Sequence, residues 1–250
     1  MISAKNIYKS FNGRYVLKDI SAAFEEGKTN LIIGQSGSGK TVLLKCLVGL
    51  HAVDSGEVWF HSVEYTTLPH RRRSELRRQI GMLFQSGALF DFATVEGNVM
   101  FPLSMFSGMG KGEQRDRAHA CLERVNLIGA RKLRISELSG GMQKRAAIAR
   151  AISLKPKYLF CDEPNSGLDP KTAILIDALI KEITVENNIT TIINTHDMNS
   201  VMEIGDKVIF LHHGKKWWEG TKHDILDAEN VELNEFVFAN RLAKKARGML

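Results

Sequence analysis

The sequence contains no run of about 18 unbroken apolar residues, so no segment of it is predicted to cross a membrane as a helix. Its N-terminal segment includes no hydrophobic core of the kind that a secretory leader needs. Only three cysteines are present, an odd number in apolar surroundings, which indicates a reduced cytosolic chain. Internal repeats and low-complexity segments are absent too. These absences argue against a membrane-spanning helix, a disulfide framework and a repeat array.

The composition is that of an ordinary globular protein. The chain has 250 residues, of which 44% are hydrophobic and 25% are charged. That length predicts one large domain, or one domain with a sizeable insertion, and it is enough to form a core without a structural metal. Lysine and arginine number 34 against 28 acidic residues, which gives a net charge of +6. This excess is compatible with nucleic acid, an anionic membrane surface, phosphate ligands or no specific partner.

Short apolar runs alternate with helical patterns along most of the chain. The Asn12-Gly13 pair between two strand-like segments predicts an N-terminal hairpin. Helices are predicted over 41–50, 143–154 and 172–185, and the mostly helical segment near 87–155 is interpreted as an insertion. Further strands are predicted over 29–33, 56–60, 158–161 and 190–193, with a final hairpin around Gly214. The alternation predicts a largely parallel α/β sheet.

A glycine-rich segment, Gly34–Thr41, lies between a predicted buried strand and a predicted helix. It fits the pattern G-x-x-x-x-G-K-[ST], in which backbone N–H groups surround phosphate oxygens at the positive start of a helix. Lys40 would reach the β- and γ-phosphates, and the Thr41 hydroxyl would complete a Mg²⁺ shell. The alternative is an ordinary glycine-rich turn, which the context on both sides disfavours. The segment predicts binding of a nucleoside triphosphate.

Two carboxylates, Asp162 and Glu163, follow the apolar run 158–161. A buried strand that ends there would place Asp162 beside the Mg²⁺ water shell and Glu163 near the γ-phosphate as a base or water-positioning group. Alone, such a pair is more often a helix cap or a solvated turn, but the phosphate loop upstream reverses that preference. His196 follows the second buried strand and is interpreted as a γ-phosphate contact rather than a structural histidine.

The segment Leu138–Met142 opens a predicted helix with a serine and two glycines. Ser139, Gly140 and Gly141 offer a hydroxyl and exposed N–H groups at the positive end of that helix, which is a second anion-binding arrangement. On local sequence alone, a plain serine N-cap is the preferred interpretation. Two phosphate-type sites in one chain need an explanation that the separate motifs do not supply.

In their order along the chain, these motifs resemble those of the nucleotide-binding subunit of an ABC transporter. Phe11 stands where that family stacks an aromatic ring on adenine, Gln85 matches its Q-loop, and Asp169 belongs to its D-loop. Residues 34–41 correspond to Walker A, 138–142 to the LSGGQ signature, 158–163 to Walker B, and His196 to the switch histidine. The nucleotide-binding set that the resemblance implies is Phe11, Gly34, Gln35, Ser36, Gly37, Ser38, Gly39, Lys40, Thr41, Val42, Gln85, Ser139, Gly140, Gly141 and Asp169.

The resemblance implies a mechanism as well. Two copies of the chain pair head to tail, and each ATP lies between the phosphate loop of one copy and Ser139 of the other. Glu163 activates the attacking water and His196 holds the γ-phosphate. Hydrolysis then opens the dimer and drives transmembrane subunits. The implied catalytic residues are Lys40, Glu163 and His196, and the implied Mg²⁺ ligands are Thr41, Gln85 and Asp162.

The implied fold is α/β, a RecA-like P-loop NTPase core with an N-terminal antiparallel β subdomain and an inserted α-helical subdomain. The ATP-binding domain is predicted over residues 1–235, with the helical subdomain at about 87–155 and a basic C-terminal extension over 236–250. That extension is interpreted either as a frayed tail or as a helix that docks on a partner or on the membrane surface.

A finer resemblance rests on the segment Phe84–Asp91 and on Met142, which replaces the usual glutamine of the signature. Both are similar to the MlaF-type ATPases of MCE/Mla phospholipid transport systems. That likeness implies an MlaE-like polytopic permease and an MCE-domain protein as partners. It also implies a peripheral location on the cytoplasmic face of the bacterial inner membrane, with membrane contact only through partners. An ABC importer ATPase for another substrate stays an alternative.

Three positions depart from the usual family pattern. Val42 stands where a second hydroxyl residue is common, Ile135 where proline is frequent, and Cys161 where Leu or Met is typical. Val42 removes one expected contact to the α-phosphate, which backbone N–H groups would replace. Cys161 is interpreted as a small buried hydrophobe. None of the three removes a group that hydrolysis requires, so activity is expected to survive.

The basic segment Arg71–Arg78 is interpreted as a solvated helix face rather than a nucleic-acid or lipid-headgroup patch. A soluble ABC-type ATPase that acts on nucleic acid or ribosomes is the alternative function that would use this charge. Such proteins usually have two cassettes or long coiled coils, and this sequence has neither, so no nucleic-acid partner is expected. An inactive regulatory cassette conflicts with the presence of Lys40 and Glu163. Transport is the preferred function.

Overall fold

The computed structural model describes residues 1–238, so most of the C-terminal extension predicted over 236–250 lies outside the described residues. The described chain forms two compact units. One comprises residues 1–67 and the chain from residue 194 onward, and the other comprises residues 68–193. None of the helices in the described part is long and apolar enough to span a membrane.

The elements follow one another as the alternating pattern predicts. The strands are β1 (Ile2–Phe11), β2 (Arg14–Phe24), β3 (Thr29–Ile33), β4 (Ser55–Phe60), β5 (Val63–Glu64), β6 (Ile80–Leu83), β7 (Tyr158–Asp162), β8 (Thr190–Thr195), β9 (Lys207–His212) and β10 (Lys215–Gly220). The helices are α1 (Lys40–Leu47), α2 (His70–Arg77), α3 (Val95–Phe106), α4 (Lys111–Arg124), α5 (Gly140–Ile152), α6 (Pro170–Glu186), α7 (Met198–Ile204) and α8 (Val231–Val237).

The first unit contains a four-stranded antiparallel sheet in the order β2-β1-β4-β5. The chain turns between β1 and β2 at Asn12 and Gly13, whose φ angles of 49° and 78° suit a tight hairpin. Ile2 and Ala4 on β1 are buried, because alternate side chains of a strand point to the same face. Ile7 is also buried, because the register shifts between Ala4 and Ile7, where Asn6 has a φ of 48°. The predicted N-terminal antiparallel hairpin is therefore confirmed.

A second group of strands in the first unit carries the glycine-rich segment. β3 is buried along its whole length and pairs parallel with β9, and β9 pairs antiparallel with β10 through the turn at Gly214. This confirms the predicted parallel strands and the predicted final hairpin. α1 is shorter than predicted, because Gly49 adopts a φ of 73° and ends the helix after Leu47 rather than Leu50.

The second unit combines two parallel strands with packed helices. β6 pairs with β7 in a register that runs from Ile80 opposite Tyr158 to Leu83 opposite Cys161. β6 is a strand that the sequence patterns did not predict. α3, α4 and α5 pack on one another and account for the mostly helical segment near 87–155. The Thr94 hydroxyl caps α3 by accepting a hydrogen bond from the Gly97 N–H at 3.1 Å.

Candidate functional site

The segment between β3 and α1 folds into a loop closed on its own lysine. Gly34, Gly37 and Gly39 have φ angles of 148°, 82° and 105°, which glycine adopts without a steric penalty. The Lys40 side chain is only 7% exposed and turns back into the loop. Its Nζ donates hydrogen bonds to the backbone oxygens of Gly34, at 2.8 Å, and Gln35, at 3.2 Å. The ammonium group therefore lies inside a ring of backbone.

The neighbouring strands leave no space for side chains at two of these glycines. A Cβ at Gly34 would lie 2.3 Å from the Leu211 backbone oxygen, and one at Gly39 would lie 2.9 Å from a Leu17 methyl carbon. The Ser38 hydroxyl is buried and has no hydrogen-bond partner among the described residues. Buried hydroxyls normally have a partner, so this one fits a site that a phosphate oxygen completes.

Phe11 ends β1 at the turn of the β1–β2 hairpin, and β2 of this hairpin contacts the same loop. It pairs with Arg14, and Val16, two residues further along β2, has its carbonyl oxygen 3.2 Å from where a Gly39 Cβ would be. The Phe11 ring is 41% exposed. Lys9 Nζ lies 5.2 Å from the ring centroid and bonds to an Asp54 carboxylate oxygen at 2.6 Å. The hairpin that contains the predicted adenine-stacking residue therefore contacts the predicted phosphate loop at Gly39.

His196 follows β8 and belongs to the first unit, as the phosphate loop does. Its side chain is exposed. The Asp197 N–H donates to the Thr195 hydroxyl at 3.0 Å, and the Asp197 carboxylate accepts from the Asn199 N–H at 2.9 Å at the start of α7. The turn that presents His196 is therefore fixed on its C-terminal side by two local hydrogen bonds.

The two predicted Walker B carboxylates end β7 in the second unit. Asp162 is 4% exposed, and Glu163 follows with a φ of 50°, a left-handed conformation that is uncommon for glutamate. Cys161 is completely buried, which confirms its interpretation as a small hydrophobe, and burial raises the pKa of its thiol. Burial lowers the pKa of the nearby Lys144, whereas the charges of Cys161, Glu163 and Asp162 raise it.

The Gln85 loop is bonded to two other parts of the second unit. The Gln85 Nε2 donates a hydrogen bond to the Ser166 hydroxyl at 3.3 Å, so the predicted Q-loop and D-loop segments are in contact. The Gln85 backbone oxygen accepts a short hydrogen bond from Lys144 Nζ. The sequence did not predict the contact with Ser166 or the bond from Lys144, because no local pattern indicates that these residues meet.

Ser139 caps its own helix, and the glycines that follow it lie beside the start of α6. The Ser139 hydroxyl accepts a hydrogen bond from the Met142 N–H at 3.3 Å, so the N-cap interpretation describes this residue correctly. A Cβ at Gly141 would lie 2.6 Å from a Thr172 methyl carbon. Thr172 in turn bonds to the Asp169 carboxylate through its N–H at 3.0 Å and its hydroxyl at 2.5 Å. These hydroxyl and N–H bonds lower the pKa of Asp169.

A cavity of about 480 Å³ opens within the second unit. Phe101 and Phe106 from α3 are 42% and 44% exposed. The cavity is also lined by Phe84, Phe90, Arg77, Arg78 and Arg150, and no carboxylate is found among its described lining residues. The sequence patterns did not predict this cavity, although Phe84 and Phe90 belong to the segment Phe84–Asp91 on which the finer resemblance rests. We call this cavity the aromatic groove.

The predicted site residues are thus divided between the two units. Phe11, residues 34–42 and His196 belong to the first unit, and the others belong to the second. In the second unit the structure brings the Gln85 side chain to Ser166 and the signature glycines to the Asp169 cap. The second-unit site residues are Gln85, Ser139, Gly140, Gly141, Asp162, Glu163 and Asp169.

Comparison with known proteins places these features in context. A family model described as ABC transporter matches residues 17–166. The methionine import ATP-binding protein MetN of Carboxydothermus hydrogenoformans is 40% identical over 228 residues, which cover 90% of this chain and 67% of that protein. The intermembrane phospholipid transport system ATP-binding protein MlaF of Haemophilus influenzae is 36% identical over 237 residues, which cover 95% of this chain and 90% of that protein.

Solved structures agree with the family match. Two dimeric structures of one ABC transporter cassette, the second in a post-hydrolysis state bound to ADP and Pi, are each 32% identical to this chain. Each covers 89% of this chain and 99% of the solved chain, with TM-scores of 0.82 and 0.81. The likeness therefore extends over nearly the whole of that cassette.

Proposed function

The chain belongs to the ABC transporter family, and from that premise we propose that it energises phospholipid transport as an MlaF-type ATPase subunit. It is an ABC ATPase cassette that binds ATP with Mg²⁺ and hydrolyses it, so the predicted fold, activity and ligands are confirmed. Cassettes of this family dimerise and work with transmembrane permeases. We further infer that the ATP-binding domain covers residues 1–235, with the helical subdomain at about 87–155 and the extension over 236–250.

The observation that carries the nucleotide-binding proposal is the loop closed on Lys40, with the unpartnered hydroxyl of Ser38 inside it. When ATP binds, Lys40 exchanges its bonds to the loop carbonyls for bonds to phosphate oxygens, and Ser38 gains the partner that it lacks. Phe11 offers its exposed ring face to the adenine base. The full set of nucleotide ligands is proposed as the resemblance implies it.

The proposed Mg²⁺ ligands are the hydroxyl of Thr41, the side-chain amide oxygen of Gln85 and the carboxylate of Asp162. Mg²⁺ usually takes one or two carboxylates together with phosphate oxygens and water, rather than a cage of protein ligands. The described residues contain no group of three or more His, Cys, Asp or Glu side chains that could hold a metal. When bound, the ion neutralises charge on the phosphates.

Glu163 is the proposed general base, because it follows the buried Asp162 at the end of β7 and is held in a left-handed conformation there. It accepts a proton from the attacking water, while Lys40 and His196 stabilise charge on the γ-phosphate. Ser139 and the start of α5 serve the γ-phosphate of a second copy in a head-to-tail dimer.

Replacing Glu163 tests this assignment. Glu163→Gln should lower ATP turnover by roughly 1,000-fold and keep ATP binding, because the amide cannot accept the proton. A dimer that contains unhydrolysed ATP should accumulate, which light scattering measures. The matched control is Glu123→Gln, an exposed carboxylate on α4 outside the proposed site, which should behave as the wild type. Normal turnover by Glu163→Gln would remove Glu163 from the catalytic role.

The aromatic groove supports docking of a permease. Its exposed phenylalanines and its arginines suit the end of a helix that carries both apolar and acidic side chains. Phe106→Glu should prevent co-purification with the membrane partner and leave ATP binding intact. Leu226→Glu, a control at a similarly exposed apolar residue of the first unit, should keep the partner. Retention of the permease by Phe106→Glu would contradict docking in the aromatic groove.

The phospholipid assignment is supported by the segment Phe84–Asp91, by Met142 and by the likeness to MlaF. It implies an MlaE-like permease, an MCE-domain protein and a peripheral place on the cytoplasmic face of the bacterial inner membrane. An importer of another substrate is the second candidate, because methionine import proteins are the more numerous among the similar relatives.

The two candidates differ in what should stimulate ATP turnover. The chain should be purified with its permease and reconstituted in vesicles, and its turnover measured with added phospholipid or methionine. Dependence on phospholipid, with phospholipid retained in the complex, is the expected result. Dependence on methionine would favour the importer, and recovery with ribosomes or DNA but no membrane partner would contradict transport.

A further inference from the structure

Two cations on α5, Lys144 and Arg150, belong to none of the motifs that bind ATP or Mg²⁺. Lys144 is 7% exposed and Arg150 is half-buried. Both donate hydrogen bonds to one short stretch of backbone, residues 85–88. Lys144 Nζ bonds to the Gln85 oxygen, and the Arg150 guanidinium bonds to the oxygens of Gly87, at 2.7 Å, and Ala88, at 2.6 Å.

The backbone of this loop has an uncommon shape. Gly87 and Ala88 have φ angles of 75° and 48°, two successive left-handed residues, and alanine reaches that conformation only with strain. Gly87 is buried, whereas Gln85 and Ala88 are exposed. The side chains of α5 bind the carbonyl groups of all three residues with charge-assisted hydrogen bonds, which are stronger than neutral ones.

The same helix begins at the signature. Ser139 is its N-cap, and Lys144 lies in its second turn. An α-helix rises about 1.5 Å per residue and does not bend without a specific cause, so α5 connects both ends mechanically. Arg150, near the C-terminal end, also lies 5.9 Å from the Phe90 ring, which lines the aromatic groove.

We propose that Lys144 and Arg150 clamp the loop 85–88 onto α5, so that Gln85 and Ser139 move as one body, with Lys144 as a positioning residue for Gln85. The consequence for function rests on the roles proposed above for Gln85 and Ser139. The clamp itself requires neither ATP nor a partner. It converts a displacement of the loop into a displacement of the signature, and the reverse.

Hydrogen exchange of the full-length chain tests the clamp directly. Lys144→Met removes the ammonium but keeps the side-chain length. It should raise exchange over residues 85–88 roughly tenfold, measured at the Gly87 N–H that donates to the Phe84 oxygen at 2.8 Å, because the loop opens more often once the charged hydrogen bond to Gln85 is lost. Lys144→Arg should restore protection. The matched control is Arg145→Met, since Arg145 donates to the Val125 and Asn126 oxygens at 3.2 and 3.1 Å. That control should alter exchange near residue 126 and leave 85–88 unchanged.

Arg150→Lys gives an independent test if Lys144→Met does not fold. It keeps the charge but loses the two-pronged guanidinium, so exchange over residues 85–88 should again rise. Wild-type exchange in a folded Lys144→Met or Arg150→Lys chain would overturn the clamp. An equal rise in Arg145→Met would also overturn it, because the effect would then be a general loosening of α5.

Turnover separates positioning from simple stabilisation. Lys144→Met should lower kcat roughly 10-fold with an unchanged dissociation constant for ATP, and Lys144→Arg should recover most of the loss. A loss of ATP affinity as large as the loss of kcat would overturn the positioning role. If exchange rises while turnover stays normal, the clamp is upheld and the role proposed for Gln85 is wrong.

Discussion

Two helices of this chain begin with glycine-rich segments, and the two beginnings are built differently. Before α1, three glycines adopt left-handed φ angles and the buried Lys40 closes the loop from within. At α5, Gly140 and Gly141 are ordinary first residues of the helix, Ser139 is exposed, and its hydroxyl only caps the helix. The first is a closed loop, which we propose as a phosphate site made by one chain. The second is an exposed helix end, which we propose as a site for a phosphate that another chain brings.

The largest effects should come from replacing Lys40, which closes the loop before α1, and Ser139, which caps α5. Lys40→Met should weaken ATP binding at least about 100-fold, because it removes the only cation inside the loop that the structure describes. Ser139→Arg should leave ATP binding by the single chain unchanged and still block turnover. Fluorescent-nucleotide titration and phosphate release measure the two quantities. Equal losses of ATP binding in both variants would remove the distinction between the two beginnings.

Alanine substitutions at Gly34 and Gly140 test the same difference between the two helix starts by their effect on the stability of the fold. Gly34→Ala should lower the free energy of unfolding by at least about 2 kcal/mol, because its Cβ would meet the Leu211 oxygen in a left-handed conformation. Gly140→Ala meets only a Leu168 methyl carbon at 3.6 Å and should be neutral or up to about 1 kcal/mol stabilising. Urea unfolding measures both. Similar destabilisation of the two variants would contradict the difference in backbone geometry.

A smaller effect should come from the Lys9–Asp54 pair, in which the Lys9 ammonium group lies over the Phe11 ring. Asp54→Asn should raise the KM for ATP less than roughly tenfold, because the Lys9–Asp54 pair is at the surface. The Lys9 hydrogen bond and two bonds from Ser10 lower the pKa of Asp54 to about 2 from 3.8. The stabilisation is therefore present above pH 3.8 and is lost as the pH falls towards 2.

The pH dependence supplies the check on that prediction. The urea midpoint of the wild type should exceed that of Asp54→Asn at pH 7, and the gap should narrow below pH 3.8. A gap that is constant across this range would mean that the carboxylate charge is not the source of the stabilisation.

Much of the fold could be predicted because buried parallel strands leave a plain sequence signal. β3 and β7 are apolar at most positions and β8 contains the apolar pair Ile192 and Ile193, since all three strands are buried along their whole length. β6 escaped prediction because Gly81 interrupts its pattern. That glycine is present because a Cβ there would lie 2.5 Å from the Ala151 oxygen, a contact that no local pattern reveals.

Some residues of the candidate site could likewise be predicted from local sequence, and others could not. The glycine pattern indicated the phosphate loop, because the backbone conformation itself demands those residues. Lys144 and Arg150 could not be recognised, because a lysine and an arginine on a helix are usually solvated. Their burial depends on the left-handed turn at Gly87 and Ala88, which folds the loop against α5. The left-handed Glu163 was likewise unpredictable, because glutamate has no preference for that conformation.

The most direct test mixes two inactive variants, Lys40→Met and Ser139→Arg. A hybrid dimer contains one site in which the intact loop of one copy meets the intact signature of the other. Phosphate release should therefore reappear on mixing, at about a quarter of the wild-type rate for equal amounts that exchange freely. A mixture as inactive as its parents, with hybrid dimers shown to form, would contradict the claim that each site is completed by a second copy.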